Sequence, residues 1–121
     1  MRRVELGHQS VKITLTGLTM IEALQGRIEI PYGNISTVHP QLRVPPHLLR
    51  VGGTSLGPMQ EGHYVGDSGW YFLSYENPDR VLTLDLDGFY LGRQPYCAVA
   101  IEVDDPETMA EAIRNRLDME S

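Results

Sequence analysis

"WYFLSYENPDRVLTLDLD", residues 70–87, is the stretch that most strongly predicts the fold. Both of its ends are rich in aromatic and branched apolar residues, which favour β-strands. Between them, Pro78 is followed by Asp79, a pair typical of tight turns because proline fixes φ and aspartate suits the next turn position. The stretch therefore predicts an antiparallel hairpin made of strands at 70–76 and 81–87.

Other segments show the same strand signal. In "VKITLTG", residues 11–17, apolar and polar residues alternate, as expected for a sheet with one buried face. "RIEI" at 27–30 alternates in the same way, and "YCAVAIEV" at 96–103 is apolar enough for a buried strand. We therefore predict a mainly β protein of six or seven strands.

Two segments have helical spacing instead. "LTMIEALQG", residues 18–26, repeats apolar residues every three positions and predicts a short internal helix at about 18–25. A second helix is predicted at about 106–119, where Asp105 suits the N-cap and Pro106 the first helical position. Its apolar stripe consists of Met109, Ile113 and Leu117. Because a three-turn helix is marginal by itself, this stripe must pack against the sheet.

Length and charge exclude several classes of protein. The 121 residues suit one domain spanning 1–121, and the formal charge of −6 disfavours binding to nucleic acid or an anionic membrane. The single cysteine, Cys97, lies in an apolar strand and predicts a buried thiol in a reducing compartment. No window has the roughly 20 apolar residues that cross a bilayer, and no signal-peptide pattern is found. These features predict a soluble, cytoplasmic protein.

The middle of the chain, residues 39–69, lacks regular patterning and predicts a long irregular loop. It holds six of the 12 glycines and four of the eight prolines. A phosphate-binding Walker loop would need a lysine at the position of Pro58, so the glycines are interpreted as turn formers. A loop of this length is either functional or folds its apolar residues back onto the sheet.

This same region holds the few candidate binding residues. Four polar residues lie close together in the sequence, and a histidine follows them. The five are Arg43, His47, Arg50, Thr54 and His63. This group could hold an acidic peptide or a small anion. No histidine or cysteine spacing matches a zinc site, although His39, His47 and His63 could still converge at one end of a barrel. The sequence predicts no catalytic residue, no metal and no cofactor.

Three stretches carry a resemblance to a known family: "RIEIPYGNISTV" at 27–38, "LRVGGTSLGPMQEGHYVGDSGWYFLSYENPDRVLTLDL" at 49–86 and "AIEVDDPETMAEAIRNRL" at 100–117. They resemble a family of small single-domain bacterial proteins of the pleckstrin-homology-like (PH-like) type, which carry a G-T-x-x-P-G-x-x-x-x-G stretch before the hairpin. This chain departs from that pattern, with Gly57 and Pro58 in the reverse order. The resemblance implies a partly open antiparallel barrel capped by the C-terminal helix.

The resemblance does not imply phosphoinositide binding. Eukaryotic pleckstrin-homology domains that bind these lipids place several basic residues on the first hairpin, and "VELGHQSVKITLTG" at 4–17 offers Lys12 and His8. We therefore expect neither a phosphoinositide nor a membrane as partner.

Two functional hypotheses follow from the sequence. The first is a non-enzymatic binding module that uses a strand edge, the loop at 39–69, or both to bind a protein or peptide or to self-associate as a homo-oligomer. The alternative is a small-molecule-binding protein or unconventional enzyme with a site under the loop at 43–66, lined by Arg50, Thr54, His63 and Tyr64.

Overall fold

The computed structural model describes residues 2–15, 26–56 and 59–120. These residues form nine β-strands and a C-terminal α-helix. The strands are β1 (Arg2–Leu6), β2 (Ser10–Leu15), β3 (Gly26–Pro31), β4 (Ile35–His39), β5 (Leu49–Leu56), β6 (Met59–Gly66), β7 (Gly69–Tyr75), β8 (Val81–Leu91) and β9 (Gln94–Glu102), and the helix is α1 (Pro106–Glu120).

The strands form two sheets rather than one curled barrel. β1, β2 and β3 make an antiparallel three-stranded sheet in that order. The other six make a second sheet in the order β4-β8-β9-β7-β6-β5. The prediction of a mainly β chain is confirmed, but six or seven strands was too few, and the described strands do not close into a barrel.

The predicted hairpin between strands 70–76 and 81–87 is wrong. β9 lies between β7 and β8, pairing in parallel with β7 and antiparallel with β8. The turn itself forms as a 3₁₀ turn over Pro78–Arg80, where the side chain of Asn77 accepts a hydrogen bond from the Asp79 amide at 2.9 Å. The residues of a turn determine a local reversal of the chain, whereas which strands pair in the sheet depends on how deeply each strand is buried. β9 is buried on both faces and so occupies the centre of the sheet.

Both faces of the six-stranded sheet are packed against other parts of the chain, a different part on each face. Its inner face packs against the three-stranded sheet and α1 in one core that contains Ile13, Phe72, Leu84, Val99 and Ile113. Its outer face is covered by residues 40–48, which we call the strap. Leu42, Val44 and Leu48 of the strap pack on an outer-face cluster formed by Tyr64, Tyr71, Leu73, Tyr75, Val81, Ala98 and Ala100.

The strap crosses the sheet from one edge to the other because it joins β4 to β5, the two outermost strands. Thr83 of β8 fixes its first half: the Thr83 hydroxyl donates to the Gln41 carbonyl at 2.8 Å and accepts from the Arg43 amide at 3.1 Å. Thr83 is fully buried, so both hydrogen bonds replace bonds to water.

The C-terminal helix confirms the prediction made from its cap and stripe. The Asp105 carboxylate accepts hydrogen bonds from the amide and hydroxyl of Thr108, at 3.1 and 2.7 Å, and these bonds lower the pKa of Asp105. Ile113 is fully buried, with Met109 and Leu117 partly buried beside it against the core. Within the described ranges, no helix is long and apolar enough to cross a membrane.

Two predictions about the rest of the chain have different outcomes. The short helix expected at about 18–25 falls outside the described residues. The long irregular loop expected at 39–69 is wrong, because β5 and β6 occupy about half of that region as paired strands and the strap at 40–48 packs on the sheet. Glycine has low strand propensity, but here cross-strand pairing in the folded sheet overrides it.

Candidate functional site

β5 is the outermost strand of the six-stranded sheet and pairs on one side with β6. Its other edge pairs with no strand of the described chain. Near its start, Leu49 is 71% exposed and Val51 is 56% exposed, and Arg50 between them is exposed as well. A register shift between Arg50 and Gly52 marks a bulge opposite Tyr64 and His63. The edge thus combines free backbone groups with apolar side chains in water.

The opposite edge of the sheet, formed by β4, has a backbone carbonyl satisfied by the helix. α1 packs beside β4, and the Arg114 guanidinium donates a hydrogen bond to the Val38 carbonyl at 2.7 Å. A second arginine of the helix, Arg116, donates to the Gly7 carbonyl at 3.0 Å in the turn between β1 and β2. Covering an edge with a helix removes it as a template for another strand.

A cleft of about 340 Å³ opens on the outer face between the end of the strap and the turn from β6 to β7. Its lining consists of Pro45, Pro46, His47, Leu48, Gly66, Asp67, Ser68 and Tyr71. Leu48 packs here because position 66 has no side chain: a Cβ on Gly66 would lie 2.7 Å from Leu48 Cδ2. His47 has φ of +63°, a left-handed conformation that non-glycine residues rarely adopt.

The floor of the cleft holds a small hydrogen-bonded group. The Tyr71 hydroxyl lies near the side chains of Ser68 and Cys97, and burial together with the neighbouring thiol raises the pKa of Tyr71. The Cys97 thiol also donates to the Ser68 carbonyl at 3.2 Å. Cys97 packs beside the outer-face cluster, but it is half-buried rather than buried as predicted. This group can recognise a polar ligand atom but lacks a base positioned to activate the thiol.

His63 lies on the inner face, on the other side of the sheet from the cleft. Burial lowers its pKa and raises the pKa of Tyr96 to about 12, so the two side chains meet as neutral groups. The Tyr96 hydroxyl oxygen and Nδ1 of His63 are hydrogen-bonded, 2.5 Å apart. The His63 ring also contacts Phe72, with ring centroids 5.4 Å apart. This environment resembles a satisfied core histidine more than a ligand site.

The five predicted binding residues do not form one site. His47 lines the cleft, and Arg50 lies on β5 with Tyr64 opposite it. Arg43 is exposed at the far end of the strap, above β8. The backbone of Thr54 pairs with Glu61, whereas the Thr54 side chain lies outside the description, and His63 is on the other face.

The three histidines that could have converged are separate. His39 on β4 pairs with Asp85 of β8, with Nε2 2.7 Å from Oδ2, and His47 and His63 lie at the places given above. Among the residues that the structure describes, no group of His, Cys, Asp and Glu side chains could hold a metal ion.

One buried polar cluster was missed by sequence reasoning. The Arg2 guanidinium reaches from β1 to Glu61 of β6, and its Nε donates to the Ser74 hydroxyl at 2.8 Å. Ser74 donates in turn to the other oxygen of Glu61 at 2.8 Å. The Arg2 and Glu61 side chains are 7% and 5% exposed, so this ion pair joins the two sheets in a nearly dry environment. Residues 59 positions apart give no local signal of such a pair.

Glu102 of β9 lies at the border of this cluster. Burial alone would raise its pKa, but hydrogen bonds from the Asn77 and Glu76 amides and the charges of Arg2 and Arg80 outweigh burial, so the net effect is a lowered pKa. Glu102 therefore stays ionised and fixes the turn after β7, with its Oε1 2.7 Å from the Glu76 amide nitrogen.

No family model matches the chain, and no curated protein or solved structure shows significant similarity to it.

Proposed function

We propose that this protein is a non-enzymatic binding module that accepts a strand of a protein or peptide along the outer edge of β5. The observation that carries the proposal is the exposed edge itself, an eight-residue strand whose outer side pairs with none of the described strands and which exposes Leu49 and Val51. An added strand would satisfy the free backbone N–H and C=O groups of β5. Its side chains would remove apolar surface of Leu49 and Val51 from water.

The coverage of the rest of the sheet supports this location. The inner face is buried by the three-stranded sheet and α1, the outer face is covered by the strap, and at the β4 edge Arg114 of α1 bonds the Val38 carbonyl. β5 is therefore the place where the six-stranded sheet can be extended without displacing another part of the described chain.

Selection from a random 12-residue peptide library displayed on phage tests the proposal directly. We expect selected peptides to perturb the amide NMR signals of 49–56 and to bind Val51→Lys at least about tenfold more weakly, because a lysine there must be desolvated beside the added strand. The matched control is Met119→Lys, since Met119 is 79% exposed on α1, away from β5. Peptides that perturb the cleft or α1 instead of β5 would contradict the proposal.

The cleft supports a second candidate, a small-molecule site beneath the strap. Its apolar wall of Pro45, Pro46 and Leu48 faces the polar groups of Asp67 and Ser68, a combination typical of ligand pockets. A fragment screen by NMR would test it, with Ser68→Ala expected to weaken any fragment that contacts the floor. Fragments that leave the signals of 45–48 and 66–71 unchanged would remove this candidate.

Relationship and location remain proposals that rest on the sequence. The PH-like relationship is supported by the stretches at 27–38, 49–86 and 100–117, while the parallel pairing of β7 and β9 weighs against it because the family implies an antiparallel barrel. A cytoplasmic location stays a prediction.

A further inference from the structure

We propose that the strand accepted by β5 is β5 of a second copy of this chain, so that the protein forms a reversible antiparallel dimer. The inference rests on the function proposed above and names the partner of the same edge. Pairing two six-stranded sheets in this way makes one continuous sheet of twelve strands, related by a two-fold axis. Such an interface is isologous, with the same strand contributed by both subunits.

The sequence of β5 is complementary to itself in antiparallel register. With the two-fold axis between Gly52 and Gly53, Leu49 lies opposite Leu56, Arg50 opposite Ser55 and Val51 opposite Thr54. Because glycine has no Cβ, no side chains meet at the four central positions. The exposed Leu49 and Val51 of each copy flank this centre and lose contact with water.

The charges near β5 permit this pairing despite the formal net charge of −6. β5 contains no acidic residue, and the carboxylate of Glu61 on the adjacent strand is neutralised by Arg2. The two Arg50 residues are offset by five positions, about 16 Å along the strands, which exceeds the Debye length of about 8 Å at physiological salt. The repulsion that remains is between the net charges of −6 on the two copies, and because salt screens it, added salt strengthens the dimer.

The size of the contact makes the dimer weak. A stable complex buries about 1,200–2,000 Å² of surface, and one pair of eight-residue strands buries less. The bulge between Arg50 and Gly52 weakens the contact further, since bulges disturb regular pairing. We expect a rapid equilibrium of monomer and dimer, not a permanent complex.

Sedimentation equilibrium of the full chain between about 10 μM and about 1 mM tests the inference. The weight-average mass of wild type should rise from 13.6 kDa towards about 27 kDa, twice the chain mass. Val51→Lys and Leu49→Lys should each weaken association at least about tenfold, because each replaces an apolar side chain at the interface by a lysine that must be desolvated when the strands pair. Met119→Lys is the matched control and should leave association unchanged. Circular dichroism shows that each variant is folded.

Salt and NMR separate this inference from the function on which it rests. Raising the salt concentration should tighten the dimer, whereas it should lower the affinity for an acidic peptide bound through Arg50. A wild type that stays monomeric at about 1 mM, or an equal loss in Met119→Lys, overturns the dimer. If that monomer still binds selected peptides at 49–56, strand addition to β5 is supported and its partner is another protein or peptide. If it binds no peptide there, both proposals are contradicted.

Discussion

The two edges of the six-stranded sheet differ in how their backbone groups are satisfied. α1 packs beside β4, and Arg114 hydrogen-bonds the Val38 carbonyl, whereas among the described strands none pairs with the outer side of β5, where Leu49 and Val51 are exposed. Natural proteins commonly protect sheet edges, so an edge left open beside a protected one indicates where another chain can add. Coverage of the sheet, more than any motif in the glycine-rich segment, locates the candidate site.

The largest effect is expected from a substitution that loosens the strands supporting β5. Arg2 holds Glu61 of β6 and Ser74 of β7 to the three-stranded sheet. Arg2→Met leaves the Glu61 carboxylate buried without its cation, and we expect the free energy of unfolding to fall by about 3–5 kcal/mol. Urea denaturation followed by the fluorescence of Trp70, the single tryptophan, measures the loss.

The matched control for this prediction is Arg3→Met, because Arg3 lies on the same strand and is exposed. Its effect should stay within about 0.5 kcal/mol. The double variant Arg2→Met/Glu61→Leu should recover part of the stability, since no unpaired charge remains buried. A loss below about 1 kcal/mol in Arg2→Met would show that the ion pair does not hold the sheets together.

A smaller effect is expected from a substitution that removes the hydrogen bond between α1 and β4, which should make the β4 edge more like the β5 edge. Arg114→Met removes the hydrogen bond to the Val38 carbonyl while keeping the side-chain stem on α1. We expect a loss of about 1 kcal/mol and faster hydrogen exchange of the β4 amides, with β5 unchanged. Asn115→Met, at the adjacent exposed position, is the control. Equal exchange of β4 in Arg114→Met and wild type would mean that helix packing alone protects this edge.

The parts of the fold that were predictable from sequence are those determined by neighbouring residues. Asp105 and Thr108 are three positions apart, and the stripe from Met109 to Leu117 repeats every four, so the cap and buried face of α1 follow from local chemistry. The positions of β7 and β8 were predicted for the same reason. Their pairing was not, because it depends on β9, which follows both in sequence.

The candidate site was harder to predict because its features are long-range. Glycines at 52, 53 and 62 suggested a loop, yet they lie in paired strands once β7 supports β6. The predicted polar residues share a stretch of sequence, but alternation along β6 sends His63 to the inner face and Tyr64 to the outer face. Exposure of one sheet edge depends on strand order, which no single segment encodes.

The smallest expected effect is a pH dependence confined to the β5 side. Burial lowers the pKa of His63, so below the unfolded value of about 6.5 the unfolded chain binds more protons than the native chain. The stabilisation from neutral His63 is complete above that pH and is lost as the pH falls through the native pKa. His63 pairs with Gly52 of β5, so we expect β5 and β6 to lose protection from hydrogen exchange before β4 as the pH falls. Hydrogen exchange measured between pH 7.5 and 5.5, with rates corrected for the intrinsic pH dependence, tests this order. His63→Gln, which cannot titrate, should lose this difference; a variant that retains it would assign the pH dependence to another group.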